Sequence, residues 1–316
     1  MTLAEAQGLG AQYGLHVSSV QALRAGSVNS NFRLETAAGQ RFFLRVYEEQ
    51  DQAGARRELG AIAELARLGV PTPVPLERTG GGRVAEHAGK PVGVHPWVEG
   101  ESLCLARITP AVAGQLGRAL ARVHCCSAQL SEIPEGRFRA SDLLVRLDQV
   151  DRVDARYGRD TAHIRERLQH YSDRLAAAGP LPRGVIHGDL FRDNVLWQDG
   201  ELRALIDFES LSLGVFGYDI MVCVHAWCYG DAYDTELVAG LFDGYCRERE
   251  LSSAEWTSLS ALGALAALRF ATTRITDFSL RAAPGEAPAR DYRRFLARLA
   301  ALEAGVLDPL IKARRK

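Results

Sequence analysis

The chain has 316 residues, a formal net charge of −1 and 47% hydrophobic residues, so it carries no field that would draw nucleic acid or an anionic membrane surface. A single core seldom fills a chain of this length, and two lobes are expected, residues 1–95 and 96–316. No apolar run reaches the length of a membrane span, and the N-terminal MTLAEAQGLG lacks the basic and apolar regions of a secretory signal.

The six cysteines, Cys104, Cys125, Cys126, Cys223, Cys228 and Cys246, show no metal-ligand spacing. They are expected as small buried hydrophobes in a reducing cytoplasm. Residues 2–14 form a short helix, with Thr2 as N-cap and Glu5 completing a capping box. Three strands follow, at residues 17–23, 31–36 and 41–47. Between the first two lies Gly26-Ser27-Val28-Asn29-Ser30-Asn31. A glycine followed by small polar residues can turn backbone N–H groups toward phosphate, and on its own it is equally an ordinary hairpin loop.

The third strand, Phe42 to Val46, holds one cation, Arg45, within an apolar run. It either serves inward or points to solvent from an edge. Residues 51–68 read as a helix with Leu59, Ile62, Leu65 and Ala66 as its apolar stripe. Glu58 falls on the buried edge of that stripe, where a carboxylate wants a partner. Arg45 is the expected one, and a neighbour on the same helix is the alternative. Pro71, Pro73 and Pro75 then keep the chain extended, and the segment ending at Trp97-Val98-Glu99-Gly100 is the expected lobe boundary.

Beyond it the chain turns helical, from Thr109 as N-cap and Pro110 at the first helical position. His124 is expected as a packing histidine. Amphipathic helices near residues 142–157 and 161–178 present solvated charged faces. After residue 216 the reading is helical again, at 217–224, 234–248, 253–276 and 291–304. Asp219, at the start of the first of these, is expected to cap the helix or bond nearby loop backbone. On the third, Arg269, Thr272, Thr273 and Thr276 share one face. Arg269 or Arg274 suits a bound carboxylate, and each suits equally an internal acid such as Asp277.

The chemistry concentrates in residues 184–208, GVIHGDLFRDNVLWQDGELRALIDF. Asp199-Gly200 fits a two-residue type I′ turn between two strands. Counting back from it sets Asn194 opposite residue 205 and leaves Asp207 two residues further, on the same face as Asn194. A Mg²⁺ with oxygen ligands would join the two side chains. Asp189 precedes Asn194 by the spacing of the D-x-x-x-x-N catalytic loop of kinases, in which the Asp takes the acceptor hydroxyl's proton and the Asn holds metal.

His187-Gly188-Asp189 with the later Ile206-Asp207-Phe208 resembles the small-molecule branch of that fold, the aminoglycoside phosphotransferase and choline kinase-like superfamily. Leu181-Pro182-Arg183-Gly184 before this loop, Tyr218-Asp219, Trp227-Cys228, and Ala267-Leu268-Arg269-Phe270 with Arg274 and Asp277-Phe278 are similar to the homoserine kinases of that superfamily. His225-Ala226 and Glu209 depart from it, at positions the resemblance sets near the acceptor. The resemblance implies an α+β, two-lobed protein-kinase-like fold, with an antiparallel-sheet N-lobe carrying one main helix and a mainly helical C-lobe.

ATP and Mg²⁺ are the implied cofactors, and L-homoserine is the implied acceptor, phosphorylated in a step of threonine biosynthesis. Asp189 is then the expected base, and Asn194 and Asp207 the metal ligands. Gly26, Ser27, Asn29, Asn31, Arg45 and Glu58 form the expected nucleotide side, Arg45 standing where kinases have a phosphate-binding Lys. Arg269, Arg274 and Arg192 are the candidate acceptor cations. A same-fold kinase for a choline-like amine, an aminoglycoside or a protein serine remains the first alternative, and a nucleotide-binding pseudokinase the second.

Overall fold

A computed structural model describes residues 1–23, 28–281 and 290–315. In chain order the elements begin with α1 (Leu3–Ala11), β1 (Val17–Leu23), β2 (Ser30–Thr36), β3 (Arg41–Val46), α2 (Gln52–Arg67), β4 (Ala85–His87) and β5 (Lys90–Pro96). Next come α3 (Pro110–Cys125), α4 (Ala140–Val153), α5 (Gly158–Ala177), β6 (Arg183–Ile186), β7 (Val195–Gln198), β8 (Glu201–Leu205) and β9 (Ser212–Val215). The described chain ends with α6 (Phe216–Trp227), α7 (Thr235–Cys246), α8 (Ser253–Arg274), α9 (Arg293–Glu303) and α10 (Asp308–Arg314). No helix among the described residues is long and apolar enough to cross a membrane.

These elements form two compact units. The first comprises Met1–Ser102, Ala128–Ile133 and Asn194–Glu209, and the second Leu103–Ser127, Pro134–Asp193 and Ser210–Lys316. The hairpin of β7 and β8, expected with the C-terminal residues, is therefore grouped with the first unit. Leu205 N–H donates to the Pro71 carbonyl at 2.7 Å, and Glu101 and Trp197 exchange backbone hydrogen bonds at 2.9 and 3.0 Å. Backbone pairing, which chain order cannot reveal, decides that membership.

In the first unit a five-stranded antiparallel sheet runs in the order β1-β2-β3-β5-β4. The capping box expected for α1 is present, Glu5 N–H bonding the Thr2 hydroxyl at 3.3 Å. Ala6, Leu9 and Tyr13 seal one side of the sheet against Leu34, Leu44, Val92 and Val94. Asp51 caps α2, accepting from Gly54 N–H at 2.7 Å.

The second unit is built around α8, whose Ser252 cap and Glu255 complete a second capping box. A helix buried nearly all round needs neighbours on every side. Residues of α4, α5 and α9, including Leu147, Leu168, Phe295 and Leu299, share its core. Helices α3 and α7 approach so closely that a Cβ on Gly117 would stand 2.2 Å from the Leu241 carbonyl oxygen, and one on Gly244 2.0 Å from that of Gly114. Of the cysteines, Cys126, Cys223 and Cys228 are buried as expected, whereas Cys104 and Cys125 are exposed. Helix α10 and strand β9, which pairs with β6, escape the periodicity reading because each is short.

The α3–α7 approach makes a stability test. Gly117→Ala forces backbone apart and should cost about 1–3 kcal/mol, read as a lower urea midpoint. Gly8→Ala, where a Cβ meets nothing within 4 Å, should cost none.

Candidate active site

In the first unit the hairpin turn forms as expected, with Asp199 and Gly200 both at positive φ, 54° and 80°. Its register differs from the simple count. Trp197 pairs with Leu202 but Leu196 with Ala204, so Arg203 is the extra residue of a bulge, and Val195, not Asn194, lies opposite Leu205. The Asn194 carbonyl instead accepts from Ile206 N–H at 3.0 Å. Asp207 thus lies one residue past Asn194's neighbour, not two. It does not follow strand alternation at all, because its φ of 63° turns it into the left-handed region that Asp tolerates. Strand alternation therefore does not set Asn194 and Asp207 on one face, although the two residues flank the hairpin strands.

Arg45 lies inward, not at a solvent edge. On β3 opposite Asn31, it donates through Nε to Asn31 Oδ1 at 3.2 Å and through Nη1 to Asp207 Oδ1 at 2.8 Å. Burial works against its charge, yet Asp207 and the nearby Tyr47 and Glu58 hold its pKa above the usual range.

The expected Arg45–Glu58 ion pair is not what forms. Glu58 accepts from Tyr47 OH at 3.1 Å and from Gln50 Nε2 at 2.7 Å. Burial pushes its pKa up to about 7, against the pull of Arg45. The reason is competition: Asp207 already takes the Arg45 fork. Asn29 is tied at both ends of its amide, donating to Glu209 Oε2 at 3.0 Å and accepting from Glu48 N–H at 3.1 Å. Gly26 and Ser27 lie outside the described residues.

In the second unit the Asp189 loop is held from below by Asp219. Its carboxylate accepts from His187 N–H at 2.7 Å and Gly188 N–H at 2.8 Å. It also meets His124 Nε2 at 3.1 Å, and His124 Nδ1 lies 2.8 Å from Tyr245 OH. Burial lowers the His124 pKa, so the ring is neutral, with Nε2–H donating to Asp219. The expectations for both residues are met, His124 as a packing residue and Asp219 as an anchor for loop backbone. Gly188 has φ 76°, and a Cβ there would stand 3.0 Å from the Ser210 carbonyl oxygen. The Trp227 indole donates to the Leu190 carbonyl at 2.9 Å.

Asp189 Oδ1 accepts from Arg269 Nη1 at 3.2 Å. The Arg269 guanidinium is sandwiched, 4.1 Å from the Phe138 ring centroid and 3.8 Å from that of Phe270. Asp277 pairs instead with Arg146 at 3.0 Å. Arg274 donates to the Asp291 carbonyl at 3.1 Å. Of the two positions that depart from the resemblance, His225 is fully buried between the Gly263 carbonyl and Tyr233 OH, at 2.7 and 2.8 Å, and Glu209 is half-buried and accepts from Asn29 at 3.0 Å. Arg298 was missed, because on α9 it reads as one more charge of an amphipathic helix.

Within each unit, then, a half-buried carboxylate is bonded by an arginine from a distant element, Asp207 by Arg45 in the first and Asp189 by Arg269 in the second. The chain belongs to the Phosphotransferase enzyme family, which it matches over residues 19–262. It is 32% identical over 267 residues to a homoserine kinase of Methylocella silvestris, covering 83% of this chain and 81% of that protein. Against a homoserine kinase of Chelativorans sp. it is 34% identical over 275 residues, 82% and 80% of the two chains. Among solved structures, an amicoumacin kinase in complex with AMP-PNP, Ca²⁺ and Ami superposes with a TM-score of 0.72 over 93% of this chain and 90% of that one, at 18% identity. Its fold is therefore that of the small-molecule kinases.

Glu58 supplies a pH test. With its folded pKa about 7 against an ordinary 4.5, the folded state binds the extra proton, so this group's contribution to stability falls as pH rises through that window. Buried His95 and His225, with pKa lowered to about 4 and about 3, tilt the other way, so the comparison must be with Glu58→Gln. Between pH 5 and 8 the parent should lose up to a few kcal/mol relative to that variant in urea titrations; parallel profiles would contradict the assignment.

Proposed function

We propose that this chain transfers the γ-phosphoryl group of ATP to the side-chain hydroxyl of L-homoserine, giving O-phospho-L-homoserine for threonine biosynthesis. The observation that carries this reading is identity of 32 and 34% to two homoserine kinases over four-fifths of each chain. Asp189 is the residue that orients the acceptor hydroxyl and takes its proton as the new O–P bond forms. Arg269 fixes the direction of that carboxylate, and Asp219 fixes the loop beneath it.

Asn194 and Asp207 would hold a divalent cation, Mg²⁺ in this reading. Their amide and carboxylate oxygens suit a hard ion. A Mg²⁺ held by one or two protein oxygens keeps waters and phosphate oxygens as its other ligands. When bound, such an ion neutralises charge on the transferring phosphate. Arg45 holds the Asp207 carboxylate in place and keeps a fixed positive charge on the nucleotide side, where kinases have Lys. Asn29 and Asn31 brace the adjoining strand and loop.

An ADP-release assay across L-homoserine, choline and an aminoglycoside tests the reading, with turnover expected on L-homoserine alone. Asp189→Asn should lower kcat by about 10²–10⁴-fold, the range for loss of a general base. Asp207→Ala should reduce kcat more than it raises KM for ATP. Near-normal turnover by either variant at saturating Mg²⁺ would remove that residue from the mechanism.

A further inference from the structure

Arginines gather in the second unit beyond the Asp189 pair, and few acids answer them. The Arg274 guanidinium carbon, at the end of α8, lies 4.4 Å from the Phe295 ring centroid. That of Arg298, on α9, lies 4.8 Å from the same ring and 4.2 Å from that of Tyr229. Two cations therefore share one aromatic ring. Burial and the neighbouring Arg290, Arg298 and Arg294 pull the Arg274 pKa down to about 10, with Asp189 opposing. The Arg298 pKa is lowered to about 10 by burial, with Arg294 and Arg192 adding to it.

What surrounds the pair is carbonyl oxygen. Among the described residues Arg274 donates to the Asp291 carbonyl alone. Arg298 donates to the carbonyls of His225 and Arg294, at 3.1 and 2.6 Å, which fix its fork. The nearby acids are engaged elsewhere: Asp193 with Arg290 at 3.5 Å and Asp291 with Arg293 at 3.9 Å. Arg274 is half-buried and Arg298 buried, and cations so placed without a carboxylate are costly to keep. An anion arriving from outside resolves that cost through charge-assisted, bidentate bonds.

The pair is also tied to the reacting end. Phe295 stacks on Phe270 at 5.0 Å, and Phe270 carries the Arg269 guanidinium that bonds Asp189. Phe191, two residues after Asp189, meets both rings edge-on, at 4.8 and 6.3 Å. Arg269 itself is neutralised by Asp189 and sandwiched between rings, so it is the wrong cation for an incoming carboxylate.

We propose that Arg274, with Arg298 beside it, binds the carboxylate of the acceptor and thereby selects an α-amino acid over a plain amino alcohol. This rests on the acceptor reading above. It reassigns the role that the sequence offered first to Arg269.

The test compares the parent with Arg274→Gln and Arg274→Lys. Acceptors are L-homoserine and 3-aminopropan-1-ol, the same chain without its carboxylate, and L-2-aminobutyrate, which lacks the hydroxyl, is titrated calorimetrically. Loss of a charge-assisted pair should raise KM for L-homoserine and weaken L-2-aminobutyrate by about tenfold or more, leave kcat/KM for 3-aminopropan-1-ol unchanged, and be partly rescued in Arg274→Lys. An equal loss on both acceptors, or L-2-aminobutyrate binding that is undetectable in the parent or unaltered in Arg274→Gln, overturns the proposal. Should Arg274→Gln fail to fold by circular dichroism, Arg274→Lys carries the comparison alone. If the parent does not phosphorylate L-homoserine, the acceptor reading fails by that result, and the L-2-aminobutyrate titration still decides the carboxylate site separately.

Discussion

A single buried carboxylate, Asp219, sets the geometry on which Asp189 depends. It is fully buried, where an anion is sustained only by converging donors. Two of those donors are consecutive backbone N–H groups of the His187–Gly188 turn, and the third is His124 on α3. The turn they hold requires the positive φ of Gly188 and its close approach to Ser210. At the other end of α6, Trp227 bonds the carbonyl of Leu190. One helix thus grips the loop on both sides of Asp189 and fixes the backbone from which its carboxylate meets Arg269.

The two carboxylates proposed to act in the reaction are treated alike, each bonded by an arginine remote in sequence. Asp207 is held by Arg45, 162 positions away, and Asp189 by Arg269, 80 positions away. A planar guanidinium engages a carboxylate oxygen in a definite direction, which a lysine's flexible ammonium does not do as well. The same economy explains Glu58. With Arg45 committed to Asp207, Glu58 settles on Tyr47 and Gln50, and burial rather than ion pairing governs its protonation. In the second unit Arg274 and Arg298 both lie against the Phe295 ring.

What was legible in the chain were features whose cause is local. The capping boxes of Thr2 with Glu5 and Ser252 with Glu255 use side chains three residues apart. The Asp199-Gly200 turn needs only two residues at positive φ, and α8 announces itself by an apolar composition over six turns' length. Asp219 could be read as an anchor because of where it starts a core helix. The bulge at Arg203 was not legible, since nothing in the alternation of β8 marks an inserted residue and the register of every later position depends on it. Nor were the glycine contacts between α3 and α7, because a glycine in a helix is silent until its partner helix is known.

By itself, then, the sequence determined the kind of chemistry: the resemblance rested on residue types and intervals, His187-Gly188-Asp189 with Asn194 five residues on and the later Ile206-Asp207-Phe208, which are properties of the chain. It also determined most elements of both units, through caps, turns and periodicity. Only the tertiary structure decided which charge answers which. Arg45 could have met Glu58 but meets Asp207, Arg269 could have met an acceptor but meets Asp189, and Arg298 is brought by α9 to the Phe295 ring that Arg274 also meets. The reason is physical. Propensity acts over a few residues, whereas an ion pair is chosen by competition among every charge that folding brings within reach.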